Sequence, residues 1–186
     1  METTNRQFEQ IIALCRALFA KKLHDYGAAW RIMRPTSLTD QILIKANRVR
    51  SIETKGVALI DEDVRGEMIA IVNYGIIGLI QLERGYVETI DLSNDETLEL
   101  YDRHATEALE LMKAKNHDYD EAWRLMRETS YTDLILMKLQ RVKQIEDLEG
   151  QTLASEGIDA NYLDIINYAV FGLIKIEYAR DNTSGE

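Results

Sequence analysis

The chain has 186 residues and a net charge of −10, with 46% hydrophobic and 29% charged residues. Such values are ordinary for a folded globule, and the lack of a basic stripe argues against duplex DNA or RNA as a partner. The lone Cys15 excludes an intramolecular disulfide bond. Because the first residues show no basic segment followed by an apolar run, we expect no secretory signal and a cytoplasmic location.

A segment of 30 residues occurs twice in the chain. Residues 24–53 return as residues 117–146 with 19 identical positions at an offset of 93, and the offset becomes 94 after the loop near Gly150. The identities include His, Asp, Tyr, Trp and Arg, which packing alone would not require. We therefore predict an internal duplication, with repeats over residues 5–90 and 94–180 fused into one globular unit.

The first repeat is predicted to form four helices. Apolar residues at three- and four-residue steps indicate an amphipathic helix at its start, and Pro35 should end the short helix that follows. Ser37 with Asp40 three residues later resembles a capping box and is predicted to open the next helix. The expected helices span about 5–23, 28–33, 37–54 and 61–83.

The second repeat is predicted to follow the same order after a linker at residues 91–94. Ser93 followed by Glu96 is a helix-start signature, and Ser130 with Asp133 repeats the device of the first half. The sequence therefore predicts an all-α, pseudo-symmetric helical bundle made of two similar four-helix repeats. The expected helices of the second repeat span about 95–115, 122–127, 132–148 and 158–180.

The last helix of the first repeat is very apolar between residues 68 and 82. This stretch is shorter than the roughly 20 apolar residues that a membrane span needs, and Asn73 and Gln81 interrupt it. We therefore expect a buried core helix and no membrane partner. Gly75 and Gly78 should allow another helix to approach closely, either within the chain or in a homodimer.

Pairs of cationic residues recur at the same place in both repeats. Lys45 and Arg48 lie three residues apart, hence on one helix face, and Lys138 and Arg141 repeat the spacing. Such a pair facing a pocket would suit a phosphate, which arginine grips through two hydrogen bonds. The alternative is salt bridging to neighbouring glutamates such as Glu146, or a solvated face.

The repeated His-Asp-Tyr triplets and the carboxylates near the last helices each allow two interpretations. The triplets are either chemical groups or a structural corner in which Asp caps a helix. The carboxylates could hold a hard cation, although acidic residues in a first helical turn also complement the helix dipole. Only Glu67 and Asp164 lie deep enough to escape the dipole explanation. The full set of carboxylates is Asp61, Glu62, Asp63, Glu67, Glu156, Asp159 and Asp164.

Short polar motifs follow one order in both repeats. They are Lys22-x-x-Asp25-Tyr26-x-x-x-Trp30, Asn116-x-Asp118-Tyr119-x-x-x-Trp123, the two Lys-x-x-Arg pairs, and Asp164-x-x-Asn167-Tyr168. This order resembles a bacterial and phage family called nucleotide modification associated domain 1. The resemblance covers both halves of the chain.

The resemblance implies an all-helical fold similar to the MazG-like nucleoside triphosphate pyrophosphatases, which hold magnesium with carboxylates and cleave between the α- and β-phosphates. The implied ligand is a nucleotide or phosphorylated small molecule, and the implied cofactor is magnesium. The residues implied for catalysis are Asp118, Asp164 and Asn167. Those implied for ligand binding are Lys138, Arg141, Tyr119, Lys45, Arg48, Asp25 and Tyr26. Those implied for metal binding are Glu107, Glu110, Glu156 and Asp164.

The two repeats differ at the positions expected to hold metal. Ala70 corresponds to Asp164, and Glu67 corresponds to Asn161. Either one composite site remains or catalysis has been lost. The competing function is a non-catalytic scaffold or regulatory module that acts through homo-oligomerisation. An open cleft with converging carboxylates would favour the enzyme, and closed, satisfied polar groups would favour the scaffold.

Overall fold

The computed structural model describes residues 2–56, 63–150 and 156–183, and this part of the chain is helical without any strand. Six α-helices and two short 3₁₀ helices follow one another in the predicted order. The α-helices are α1 (Glu2–Tyr26), α2 (Pro35–Lys55), α3 (Val64–Arg84), α4 (Asn94–Tyr119), α5 (Glu128–Asp147) and α6 (Ile158–Thr183). The 3₁₀ helices, Ala29–Ile32 and Ala122–Leu125, take the places of the predicted short helices.

The predicted starts of α2 and α5 are wrong. α2 begins at Pro35 with Arg34 as its N-cap, and no side chain caps it. Proline suits the first helical turn because its φ is fixed near the helical value and its missing N–H would have no partner there. Ser37 and Asp40 therefore lie inside α2, and α5 likewise begins at Glu128, before the second Ser–Asp pair.

Two other helix starts are confirmed. Ser93 and Glu96 form a complete capping box at the start of α4, in which the Ser93 Oγ accepts from the Glu96 N–H and Glu96 accepts from the Ser93 N–H. Asp63 caps α3 by accepting from the Gly66 N–H at 2.8 Å. Both satisfy N–H groups that a helix start would otherwise leave without partners.

The helices are arranged with an approximate two-fold symmetry. Each helix of the first repeat packs on its counterpart in the second: α1 on α4, α2 on α5, and α3 on α6. Within the repeats, α2 packs on α3 as α5 packs on α6. The very apolar α3 thus finds its partner inside the chain. In the described residues, no helix combines the length and apolarity needed to cross a membrane.

The glycines of α3 stand where α6 approaches, as predicted, although side chains of α6 fill the space rather than its backbone. A Cβ on Gly75 would lie 2.7 Å from the Ile166 Cγ1, and one on Gly78 would lie 2.2 Å from the Tyr162 Cε1. The Tyr162 ring is fully buried. Its hydroxyl is 2.8 Å from the Thr39 Oγ1 on α2, so α2, α3 and α6 meet at this ring.

The α2–α5 contact is reciprocal between the repeats. Thr39 donates to Glu146 at 2.6 Å, and its counterpart Thr132 donates to Glu53 at 2.8 Å. Burial raises the pKa of both glutamates, although the threonine hydrogen bonds oppose the rise. The counterparts of two residues in contact are thus in contact with each other as well, which is the pattern of a two-fold interface. The interface explains why these polar residues are identical in the two repeats.

The same interface carries a second reciprocal pair at its surface. Asp40 accepts from Lys143 at 2.7 Å, and its counterpart Asp133 accepts from Arg50 at 2.5 Å. These aspartates, predicted to cap helices, therefore link the two repeats instead. Exposed pairs of this kind contribute little stability, so their role is to fix the register of α2 against α5.

Candidate functional site

The first repeat encloses a mostly apolar cavity of about 610 Å³. Its walls come from α1, the turn that follows it, α2 and the first half of α3. This volume falls within the range of about 300–1,000 Å³ that is usual for small-molecule sites. The lining residues that matter for its chemistry are Lys22, Tyr26, Trp30, Lys45, Ala70 and Ile77.

Two lysines supply the positive charge of this cavity. Lys22 is exposed on α1 and has no hydrogen-bond or ion-pair partner within the described parts of the chain. Lys45 on α2 lies 3.4 Å from the Glu67 Oε2, an ion pair without hydrogen-bond geometry. The other oxygen of this buried carboxylate accepts from Arg48 at 2.6 Å. Lys45 therefore keeps N–H donors available to an anion. Lys22 has no anionic partner among the described residues.

Two aromatic side chains also form part of the wall of this cavity. The Trp30 side chain is only partly buried and lines the cavity, and Tyr26, which is 71% exposed, stands at its edge. Asp25, beside them, does not line the cavity and contacts His24 at 3.2 Å on the surface. Rings and ammonium groups on one cavity wall fit a planar ligand that carries negative charge.

A buried network fixes the turn that carries Trp30. The guanidinium of Arg31 is 1% exposed, donates to both oxygens of Asp91 at 2.8 and 3.2 Å, and donates to the Gly85 carbonyl at 2.7 Å. Gln81 on α3 donates to the Met33 carbonyl at 2.6 Å. Trp30 is therefore held between fixed neighbours, and the Arg31 of the repeated motif has a structural role.

The second repeat is closed where the first is open. The buried Asp164 on α6 accepts from Lys115, and its other oxygen lies 2.7 Å from the Lys138 ammonium. The Phe171 ring stacks on Trp123, with ring centres 4.2 Å apart and planes 6° apart. The carboxylate and the ring thus cover the counterparts of the cavity lysines and of Trp30.

The paired asparagines also differ between the repeats. Asn73 donates to the Cys15 carbonyl at 3.1 Å and accepts from the Tyr101 hydroxyl at 2.8 Å. Asn167 is buried, and neither of its side-chain polar atoms has a partner among the described residues. The counterpart of Tyr101 is Phe8, which has no hydroxyl to donate. Asn167, predicted as catalytic, is therefore a buried residue that lacks the hydroxyl partner that Asn73 has.

The residues predicted for phosphate binding do not all face a cavity. Only Lys45 and Tyr26 line the cavity of the first repeat. Arg48 and Lys138 make internal salt bridges, although with Glu67 and Asp164 rather than with Glu53 and Glu146, the neighbours that the alternative interpretation named. On the second repeat the remaining predicted residues lie at the surface, with Tyr119 70% exposed. These exposed residues are Asp118, Tyr119 and Arg141.

The carboxylates predicted to hold magnesium are not brought together. Glu107 contacts the His104 Nδ1 at 2.7 Å, Glu110 accepts from Lys113 at 2.8 Å, and Asp164 is held by two lysines. Glu156 is mostly exposed, 3.9 Å from Lys138. In the described ranges, no three His, Cys, Asp or Glu side chains could hold a metal ion. The candidates Asp61 and Glu62 lie outside those ranges.

The residues that distinguish the open cavity escaped the sequence interpretation. Trp30 was noted as the last residue of a repeated motif, and the difference between Ala70 and Asp164 was interpreted as a lost metal ligand. The sequence signal that identifies the cavity is the combination of two differences, Ala70 against Asp164 and Ile77 against Phe171. Both replace a large side chain of the second repeat with a smaller one, and both smaller residues line the cavity.

The chain was compared with curated proteins, with solved structures and with protein families. Searches of curated proteins and of solved structures found no match. The likeness to MazG-like enzymes therefore stays a prediction. Among protein families, residues 22–82 and 115–176 each match the one described as nucleotide modification associated domain 1. These matches fall one in each repeat and cover about two thirds of the chain. The chain therefore belongs to the nucleotide modification associated domain 1 family, with two copies of the domain.

Proposed function

We propose that the cavity of the first repeat binds a nucleotide. The observation that carries the proposal is the ammonium of Lys22, which has no partner among the described residues and lies on the wall of an apolar cavity that also presents Trp30. A nucleotide matches both features, because its base can stack on an indole ring and its phosphate accepts charge-assisted hydrogen bonds. Lys45 supplies a second donor on the same wall.

The proposed function is binding of the nucleotide without its hydrolysis. Magnesium-dependent pyrophosphate release would need carboxylates that converge on the metal, and those predicted for that task are engaged by cations or stand apart. We therefore assign no residue to a hydrolytic step. What the described side chains of this cavity offer is an anion site beside an aromatic wall.

For the second repeat we propose a structural role within the chain, which shares with the alternative function the idea of a scaffold but not the homo-oligomerisation. Its Asp164 and Lys138 neutralise each other in the core, and Trp123 is covered by Phe171. A closed ion pair and a covered indole ring support packing rather than ligand exchange. In this proposal the first repeat binds the ligand and the second repeat supports the fold.

Lys22→Ala is expected to weaken nucleotide binding by roughly 10- to 100-fold. The ammonium would otherwise donate to the phosphate, and a hydrogen bond to a charged group contributes about 1.5–3 kcal/mol. Isothermal titration calorimetry with nucleoside mono-, di- and triphosphates, each with and without magnesium, measures the change. The folding of the variant should be unaffected, because Lys22 has no partner in the described chain to lose.

The matched control is Lys115→Ala, the same change at the counterpart position of the second repeat. Lys115 pairs with Asp164 rather than facing the cavity, so nucleotide affinity should stay within a factor of two. Equal losses in both variants would mean that general charge attracts the ligand. No binding of any nucleotide to the wild type at millimolar concentration would refute the proposed function.

A further inference from the structure

We infer that the second repeat carries an internal copy of the ligand: Asp164 takes the place of a phosphate, and Phe171 takes the place of a base. By this comparison the ligand of the first repeat is a nucleoside monophosphate. The inference rests on the proposed function and specifies its substrate class. It comes from comparing two equivalent places in the two repeats of the same chain.

The lysines locate the anion. In the second repeat Lys115 and Lys138 converge on the Asp164 carboxylate. Their counterparts Lys22 and Lys45 both line the cavity of the first repeat, and so does Ala70, the counterpart of Asp164. The first repeat therefore keeps both donors and the space but lacks the anion, which the ligand must bring.

The tryptophans locate the ring. In the second repeat the Phe171 ring lies parallel to Trp123 at 4.2 Å between ring centres. The counterparts of this pair are Ile77 and Trp30, which both line the cavity. An isoleucine leaves one face of the indole without an aromatic neighbour at this position. A flat heterocycle stacked on Trp30 would restore the arrangement of the second repeat.

Charge limits the ligand to one phosphate. In the second repeat the carboxylate of Asp164 contacts both lysines, and that of Glu156 lies 3.9 Å from one of them. In the first repeat, Lys22 and Lys45 are the cationic residues that line the cavity, and the carboxylate of Glu67 lines it too. Because Arg48 pairs with Glu67, the two lysines leave about two positive charges, and a monophosphate with about two negative charges matches them. A triphosphate would bring excess negative charge into a mostly apolar site, which is costly.

The spacing on the helix fits the same ligand. Asp164 and Phe171 are seven residues apart on α6, which places them on one face about 10 Å apart along the axis. The ligand should therefore carry its charge and its ring at opposite ends. A nucleoside 5′-monophosphate, in which the sugar separates the two, has this layout.

The first test removes the carboxylate of Glu67 and introduces one at position 70, which corresponds to Asp164 of the second repeat. Glu67→Asn alone removes a negative charge beside Lys45 and is expected to bind 5′-monophosphates at least as tightly as the wild type. Adding Ala70→Asp should then lower affinity at least tenfold, because the new carboxylate occupies both lysines. Calorimetry with the ribo- and deoxyribonucleoside 5′-monophosphates compares the two variants, after circular dichroism has verified their folding. Equal affinities would overturn the inference.

The second test fills the place of the base. The ring added by Ile77→Phe should stack on Trp30 and lower monophosphate affinity at least tenfold, whereas Ile77→Leu, which adds no ring, should lower it at least threefold less than Ile77→Phe does. In the wild type, the free nucleosides, inorganic phosphate and the 5′-triphosphates should each bind at least tenfold more weakly than the best monophosphate. Unchanged affinity in Ile77→Phe, or tighter binding of triphosphates, would overturn the inference.

These outcomes separate the inference from the proposed function. A wild type that binds no nucleotide refutes both. A wild type that binds nucleotides in a manner dependent on Lys22, but tolerates the aspartate and the phenylalanine grafts, keeps the function and refutes the internal copy.

Discussion

Asp164→Ala should lower the free energy of unfolding by about 3–5 kcal/mol, the usual cost of removing one partner of a buried ion pair. The lysine that remains is the reason, since the Lys138 side chain is 8% exposed and has its ammonium 2.7 Å from this carboxylate. For a chain of this length the melting temperature should fall by roughly 6–20 °C. Thermal unfolding followed by circular dichroism measures the loss.

The control for this change removes both charges together. Asp164→Ala combined with Lys138→Met should recover most of the lost stability, because a buried ion pair replaced by apolar groups is often neutral. Magnesium should not raise the melting temperature through Asp164, whose oxygens are already engaged by two lysines. Stabilisation by magnesium in the wild type that Asp164→Ala abolishes would return this carboxylate to the role of a metal ligand.

Gly78→Ala should also unfold more easily, by about 1–3 kcal/mol, the usual cost of overpacking a core. The added Cβ would lie 2.2 Å from the Tyr162 ring, so the ring must move. It cannot move freely, because its hydroxyl is bonded to Thr39, whose own proton goes to Glu146. The clash therefore disturbs the contact between α3 and α6 and the contact between α2 and α5 together. Denaturant unfolding gives the change in free energy.

Gly172→Ala is the matched control, at the counterpart position on α6. A Cβ there would meet the Met68 Cε at 3.6 Å, which is an ordinary contact. Alanine is favoured over glycine inside a helix by roughly 0.5–1 kcal/mol, so this variant should be as stable as the wild type or slightly more so. Equal destabilisation at both positions would mean that the close approach at Gly78 is not what limits the packing.

The fold could be predicted from the sequence because its signals are local or repeated. Apolar spacing located all the helices, and the duplication predicted that each half would have the same order of elements. The errors occurred where one local rule outweighed another. At the start of α2, Ser37 and Asp40 have the spacing of a cap, yet Pro35 opens the helix earlier. The aspartate is then left to pair with Lys143 across the repeats.

The site was harder to predict because it depends on contacts between residues that are far apart in the sequence. The identity of Lys45 with Lys138 suggested one role for both, yet one lies in a cavity wall and the other in a closed ion pair. What separates them is the residue opposite, Ala70 or Asp164. The sequence revealed that difference without revealing which lysines it faces. Several repeated polar residues, Thr39 among them, proved to hold the two halves together rather than to bind a ligand.

The central claim is that only the first repeat receives a nucleotide, and the two tryptophans of the chain can test each half separately. The variant Trp123→Phe keeps Trp30 as its only tryptophan, and its fluorescence should be quenched saturably by 5′-monophosphates that stack on the indole. The variant Trp30→Phe keeps Trp123, which Phe171 covers, and its fluorescence should not change. Unchanged Trp30 emission at saturating nucleotide, or saturable quenching of Trp123, would contradict the account.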